Sequence, residues 1–197
     1  MSSETEPLVR AGHLQEWVAN IQREDDPWRA TFFAAVAPEV LRTIERASRL
    51  DWLPARYHVL FADVMSQTFG PVRSHDYYRR AFAGALRGPF FGPIMRTGIR
   101  LLGLTPGSFL RWCTRGWEAS YKNCGALHGF VLGPLRGRVV WNGLPDICTA
   151  SDPWLDSAQG SAYAVYDLTE VTGVVRLDKS ERASGTLALE MEWLDER

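Results

Sequence analysis

A chain of 197 residues with 46% hydrophobic and 23% charged side chains has the make-up of an ordinary globular domain large enough to bury its own core. A formal net charge of -1 offers no electrostatic handle for nucleic acid. Three cysteines are too few for a disulfide scaffold and suit a reducing compartment, so the expected location is cytoplasmic; the opening "MSSETEPLVR" lacks a secretory pattern, and no apolar run reaches the roughly 20 residues of a membrane span.

Residues 1–12 show no periodicity and are expected to be a flexible N-terminus, with residues 13–197 forming a single α+β domain. Helical patterns then follow one another. "PEVLRTIERASRL" is amphipathic through Val40, Leu41, Ile44 and Ala47, and "DWLPARYHVLFADVMSQTFG" places Tyr57, Leu60, Phe61, Val64 and Met65 on one face, with Pro54 in its first turn and Gly70-Pro71 as its stop. "SHDYYRRAFAGALRG" offers Ser74 as N-cap and Gly88-Pro89 as stop, and "GPFFGPIMRTGIRLLGL" (88–104) reads as a buried or interfacial helix. The last helix of this part starts near Pro106 and sets Phe109, Cys113, Trp117 and Tyr121 four apart, the spacing of a buried stripe.

Beyond Asn123 the period changes. "GALHGFVLGP" and "RGRVVWNGLP" flank Gly133-Pro134-Leu135-Arg136-Gly137 and read as a hairpin. "SDPWLDSAQGSAYAVYDLTEVTG" returns to helix, capped by Ser151 or Asp152 and ended by Gly173. "VVRLDK", a turn at "SERASG", and "TLALEMEW" close the chain; in the last, Leu187, Leu189, Met191 and Trp193 alternate with Ala188, Glu190 and Glu192, a strand with one wet face. The fold class is therefore α+β: a mainly helical part (13–121), then β-β-α-β-β (122–197) with a small antiparallel sheet packed on helices.

Cys113, Cys124, His128 and Cys148 amount to a Cys₃His set for metal, yet ten residues separate the first two across a helix end, unlike the short ligand spacing of zinc sites; no metal and no cofactor is predicted. Cys124 or Cys148 with His128 and Asp146 or Asp152 could form a nucleophile, base and orienting acid, but no hydrolase, zinc-protease, phosphate-loop or dinucleotide signature accompanies them. His13, near the N-terminus, and His58, beside an apolar helix face, read as structural, and a haem-ligand role for His58 or His75 has no supporting pattern. The positive signal is aromatic: of eight tryptophans, several crowd the junction of helix and sheet. Trp112, Trp117, Tyr121, Trp141 and Tyr163 are the candidate walls of an apolar ligand pocket, oriented by Arg115, Lys122 or Asn142; the alternative is that these rings only fill the core. An apolar void of roughly 300 Å³ or more would favour the ligand, and close packing would favour a protein-interaction module.

"WLPARYHVLFADVMSQTFGP", "TPGSFLRWCTRGWEASYKNCGAL" and "DPWLDSAQGSAYAVYDLTEVTGVVRLDKSERASGTLALEMEW" are similar to a myxobacterial paralogous family of uncharacterised proteins of about two hundred residues. That family remotely resembles the 4-vinyl reductase and haem-nitric-oxide-binding superfamily, which implies N-terminal helices, a small antiparallel sheet and a small-molecule sensor module in signalling. The Tyr-x-Ser-x-Arg string by which haem binders of that superfamily hold the propionates is missing, as is a cysteine pair near the C-terminal strands, so the resemblance transfers no catalytic or metal residue. The expected function is a non-catalytic sensor-like domain enclosing an apolar ligand; the alternatives are an interaction module without ligand and an enzyme with a Cys/His site. A homodimer through residues 88–104 or an edge strand is a further expectation.

Overall fold

Val9 is fully buried, and it is the first sign that the chain is ordered earlier than its polar start suggests. In the computed structural model, which describes residues 6–25, 27–88, 92 and 105–194, strand β1 (Leu8–Arg10) leads directly into helix α1 (Ala11–Gln22). Residues 8–12, expected to be unordered, are thus strand and first helical turn. β1 is the centre of a three-stranded antiparallel sheet in the order β2-β1-β3, with β2 at Trp52–Pro54 and β3 at Tyr121–Lys122. Val9 faces Leu53 on one side and Tyr121 on the other.

Helices α2 (Trp28–Ala35) and α3 (Pro38–Arg46) follow, the latter with Pro38 at its first position, where the missing N–H costs nothing. α4 (Arg56–Phe69) starts after β2, so Pro54 ends a strand rather than opening a helix. Gly70, at φ 77°, ends α4, and Pro71 starts α5 (Pro71–Arg87) at once. Ser74 is therefore inside α5, not its cap, and its hydroxyl donates back to the Gly70 carbonyl at 2.8 Å. The segment 88–104 lies outside the described residues, apart from Gly88 and Gly92.

α6 (Pro106–Ser120) has a reciprocal cap: the Thr105 hydroxyl accepts from the Ser108 amide and the Ser108 hydroxyl from the Thr105 amide. β4 (Ala126–Gly133) and β5 (Arg136–Asn142) form the expected hairpin. A short helix α7 (Asp146–Thr149) and the long α8 (Asp152–Thr169) cross to β6 (Thr172–Asp178), and a 3₁₀ turn (Arg182–Ser184) returns the chain as β7 (Leu187–Leu194). α8 ends on Glu170 in the left-handed region, three residues before Gly173, which is already in β6. The four strands are all antiparallel in the order β4-β5-β7-β6. The described residues thus form two small sheets where one was expected.

The four-stranded sheet packs one face on the helices, burying Leu187, Leu189, Met191 and Trp193. Its wet face pairs Arg138 with Glu190 at 2.9 Å and Arg176 with Glu192 at 3.2 Å. α5 runs along α8, α8 covers β6, and α6 lies on β4. α6 comes this close because Gly129 and Gly137 have no side chain: a Cβ on Gly129 would stand 2.0 Å from the Leu110 carbonyl oxygen, and one on Gly137 would stand 2.1 Å from the Leu110 side chain. Among the described residues, no helix is long and apolar enough to cross a membrane.

Candidate functional site

The stripe on α6 faces a cavity of about 220 Å³, bordered by α1, α4, α5, α6, α8 and the inner face of the four-stranded sheet. Phe109, Trp112, Cys113 and Trp117 line it from α6, and Trp141, Leu189 and Met191 from the sheet. Of the five aromatics proposed from sequence, Trp112, Trp117, Tyr121 and Trp141 are brought together here. Tyr163 is not a wall. Its hydroxyl accepts from the Val175 amide at 3.1 Å, tying α8 to β6, and its ring meets His75 edge-on at 5.4 Å. Nor do Arg115, Lys122 and Asn142 orient a guest: all three are exposed, and Arg115 stacks on the ring of Trp112 at 4.6 Å.

The polar end of the cavity comes instead from His13 and His58, both 5% exposed, and from Tyr121. The small sheet gathers them. His13 follows β1 by three residues, His58 follows β2 by four, and Tyr121 is in β3, so pairing three short strands delivers three side chains from distant parts of the chain. Tyr121 Oη lies 2.7 Å from His58 Nδ1 and 3.5 Å from His13 Nε2, and the Trp154 indole N–H donates to His58 Nδ1 at 3.3 Å. Trp117 stacks on Tyr121 at 4.0 Å, and Trp17 meets His58 edge-on at 4.6 Å.

Burial dominates the electrostatics. It lowers His13 to about 4; it also holds His58 well below the ordinary imidazole value, with the nearby His13 as a second cause, and pushes the Tyr121 phenol well up. The cluster is neutral at pH 7. An indole N–H can only donate, so the ring nitrogen it reaches, His58 Nδ1, carries the lone pair and the proton resides on Nε2. His58 Nε2 and the Trp141 indole nitrogen are buried and have no hydrogen-bond partner among the described residues.

The Cys₃His set weighed from sequence does not converge as a whole: Cys124 and Cys148 lie near each other and near Tyr121, but Cys113 and His128 do not join them in a metal-holding group. Cys113 lines the cavity and donates to the Leu110 carbonyl at 3.2 Å; Cys124 and Cys148 are buried close to Tyr121 without lining the cavity, and His128 is exposed on β4. Burial pushes the thiols of Cys113 and Cys124 up to about 11 and that of Cys148 to about 12, so none is a thiolate at neutral pH. Among the described residues, no group of three or more His, Cys, Asp and Glu side chains is placed to hold a metal. Sequence reasoning reads His13 and His58 as structural, counts Trp154 only in the general aromatic crowd at the helix–sheet junction, and passes over Trp17. The i to i+4 relation of Trp17 to His13 was the available signal on α1.

No family model matches the sequence, and no curated protein matches it. Solved structures do. An Fe(II) unliganded H-NOX variant from K. algicida superposes with a TM-score of 0.59 at 7% identity, covering 95% of this chain and 97% of that one. A doubly substituted Tt H-NOX gives 0.61 at 10% identity, with 94% and 95% covered. An oxygen-binding H-NOX domain related to soluble guanylate cyclases, in its oxygen complex, gives 0.57 at 10% identity over the same shares. At this identity the likeness establishes a shared fold.

Iron or haem is named for such neighbours, but the residues here do not fit that group. His58 holds its proton on the nitrogen that would have to bind iron, because Nδ1 already accepts from Trp154. The Cys113 thiol is protonated, and no Arg or Lys is among the described residues lining the cavity to meet propionates. The volume is also below the roughly 300–1,000 Å³ of drug-sized pockets, which a tetrapyrrole would need at its upper end.

Proposed function

We propose that the chain is a non-catalytic, sensor-like module that encloses a small apolar molecule among Trp112, Trp117, Tyr121 and Trp141. The observation that carries this reading is the cavity itself: about 220 Å³, walled by aromatic and aliphatic side chains, with no charged residue among the described ones lining it. A well-packed interior leaves few voids larger than a water molecule. The space falls short of the roughly 300 Å³ set as the mark of a drug-sized pocket, yet an engineered void of about 150 Å³ suffices to take up benzene, so a guest of one or two rings is the size that fits. The shared fold with H-NOX domains supports a sensor role by analogy.

An interaction module is the second reading, and it rests on the β4–β5 hairpin, where Phe130, Val131, Leu132 and Leu135 are exposed together. A cysteine nucleophile has less support, since the thiols are protonated and Cys124 donates to the Leu8 and Lys122 carbonyls rather than to a base.

The test is native mass spectrometry of protein purified without added ligand, compared with its denatured mass, together with tryptophan fluorescence titrated with toluene. A mass excess lost on denaturation, or saturable quenching by toluene, is the expected result. A bare mass with no fluorescence response would move the assignment to the interaction module.

A further inference from the structure

α6 and the β4–β5 hairpin it lies on share a charge that the chain as a whole lacks. Residues 105–145 carry four arginines and one lysine, Arg111, Arg115, Arg136, Arg138 and Lys122, against a single acid, Glu118, in a chain whose net charge is -1. The same stretch exposes its apolar side chains together at the hairpin tip. Phe130, Val131, Leu132 and Leu135 are all exposed, Leu132 by more than half, around a turn at Pro134 that has no N–H to satisfy. Arginines stand on both sides of this tip. A Cβ on Gly107 would lie 3.7 Å from Val131, so α6 begins beside the tip, and Arg111 follows one turn on along the same helix face. Arg111 and Arg115 are exposed, and among the described residues neither makes an ion pair. Glu118 is at the other end of the hairpin, where the Trp117 indole donates to the Gly125 carbonyl. On the wet face of the sheet, Phe130 stands opposite Arg138, and Arg136 and Arg138 share one carboxylate, Glu190, at 3.9 and 2.9 Å. Arg176 and Glu192 balance each other at 3.2 Å, and Asp178, also within electrostatic reach of Arg138, is farther from the tip, level with Val140. An excess of positive charge therefore surrounds the apolar tip.

We propose that the hairpin tip docks on the anionic face of a phospholipid bilayer, with Leu132 and Leu135 entering the boundary of headgroups and acyl chains and Arg111, Arg115 and Arg136 meeting lipid phosphates. Apolar burial and attraction to anionic lipid add in such binding, and neither needs a spanning helix. Long arginine side chains can lay their stems along the apolar layer and keep their guanidinium groups among the headgroups. A nucleic acid would meet the cations but leave the aliphatic side chains nothing to bury against. A second copy of the chain would bring like charges together across the contact. The inference is independent of the cavity and of its guest.

The test is flotation of the full chain with vesicles of phosphatidylcholine alone and with vesicles in which about one-third of the lipid is phosphatidylserine. Binding to the anionic vesicles that salt weakens, with little to the neutral ones, is the expected result. The double variant Leu132→Ser, Leu135→Ser should lower partitioning about tenfold or more, and Arg111→Gln, Arg115→Gln about fivefold or more. All four side chains are exposed, so both variants should keep the urea midpoint of the unaltered protein. A reading without variants is hydrogen exchange of the unaltered protein, in which amides of the hairpin tip should gain protection when anionic vesicles are added. Failure to float with anionic vesicles, or flotation that neither variant weakens, would overturn the proposal. Loss in the arginine variant alone would overturn it as well, since a purely electrostatic contact needs no apolar tip. A dimer that forms without vesicles and that Leu132→Ser, Leu135→Ser splits, with no vesicle binding, would give the tip to a second copy of the chain instead.

Discussion

His13 and His58 stay neutral at pH 7 because both are shut away from water, and that ties stability to pH in a definite direction. In the unfolded chain each titrates near 6.5; in the folded protein His13 titrates at about 4 and His58 well below its ordinary value. The unfolded state therefore takes up protons first as pH falls. Their contribution is fully present above about pH 6.5 and is lost as pH drops toward 4, by roughly 1.4 kcal/mol per pH unit for each ring. Urea denaturation should show a clearly lower midpoint at pH 5.0 than at pH 7.5, and equal midpoints would contradict the burial of the two rings. The window is clean, since the carboxylates held low by neighbours, Asp152 by Lys179 and Asp178 by the Ser180 amide, lose their share mainly as pH falls through the ordinary aspartate value of 3.8 and lower, beneath pH 5.0. Beyond the i to i+4 relation of Trp17 to His13, nothing in the local sequence marks either histidine. His13 stands in a polar-looking start and His58 beside a hydrophobic stripe, and only the pairing of β1 with β2 and β3 makes neighbours of them.

Among the elements, α6 and α8 show how local signals place a helix while packing decides its role. Ser151 caps α8 by accepting from the Trp154 amide at 3.1 Å and also donates to Asp63 at 2.6 Å, so it holds one wall of the histidine cluster. Ser151→Ala should cost about 1–2 kcal/mol in chemical denaturation, as loss of a helix cap and of a charge-assisted bond, and a change under 0.5 kcal/mol would remove it from that role. Gly129 is the sharper case. A methyl there meets main chain at 2.0 Å, which no rotamer change relieves, so Gly129→Ala should cost about 3 kcal/mol or more; Gly133→Ala, on the same hairpin with open space around it, should stay within about 0.5 kcal/mol. Boundaries were the weak point of the sequence reading. Pro54, Ser74 and Gly173 are each good punctuation, but Pro54 closes a strand, Ser74 continues a helix that Pro71 has already begun, and Gly173 serves a strand after Glu170 has ended α8.

At the scale of the whole molecule, the cavity is the place where five helices and a sheet fail to close on one another. Ala158 and Ala162, one helical turn apart on α8, face it with the smallest side chains available. Ala162→Leu should fill part of the space, abolish toluene binding and leave stability unchanged or raised by about 1 kcal/mol; retained binding would place the guest elsewhere. The α+β class, the β4–β5 hairpin, the closing β7 strand and the α6 stripe were all legible in sequence, because periodicity, caps and turn residues act over a few neighbours and are written in adjacent letters. The small three-stranded sheet was not, since strands of two or three residues carry too little pattern to be seen. Which aromatics enclose space and which merely pack was likewise undecided: Tyr163 has the composition of a pocket wall and is a strut between α8 and β6, whereas His58 has the look of a filler and sits at the cavity's polar end. Amino-acid order by itself determined the elements and their amphipathic faces, through short-range physics. Tertiary structure alone decided that three distant strands pair, that two histidines and a tyrosine meet, and that the residues around them leave a hollow, because burial and enclosure are properties of groups far apart along the chain.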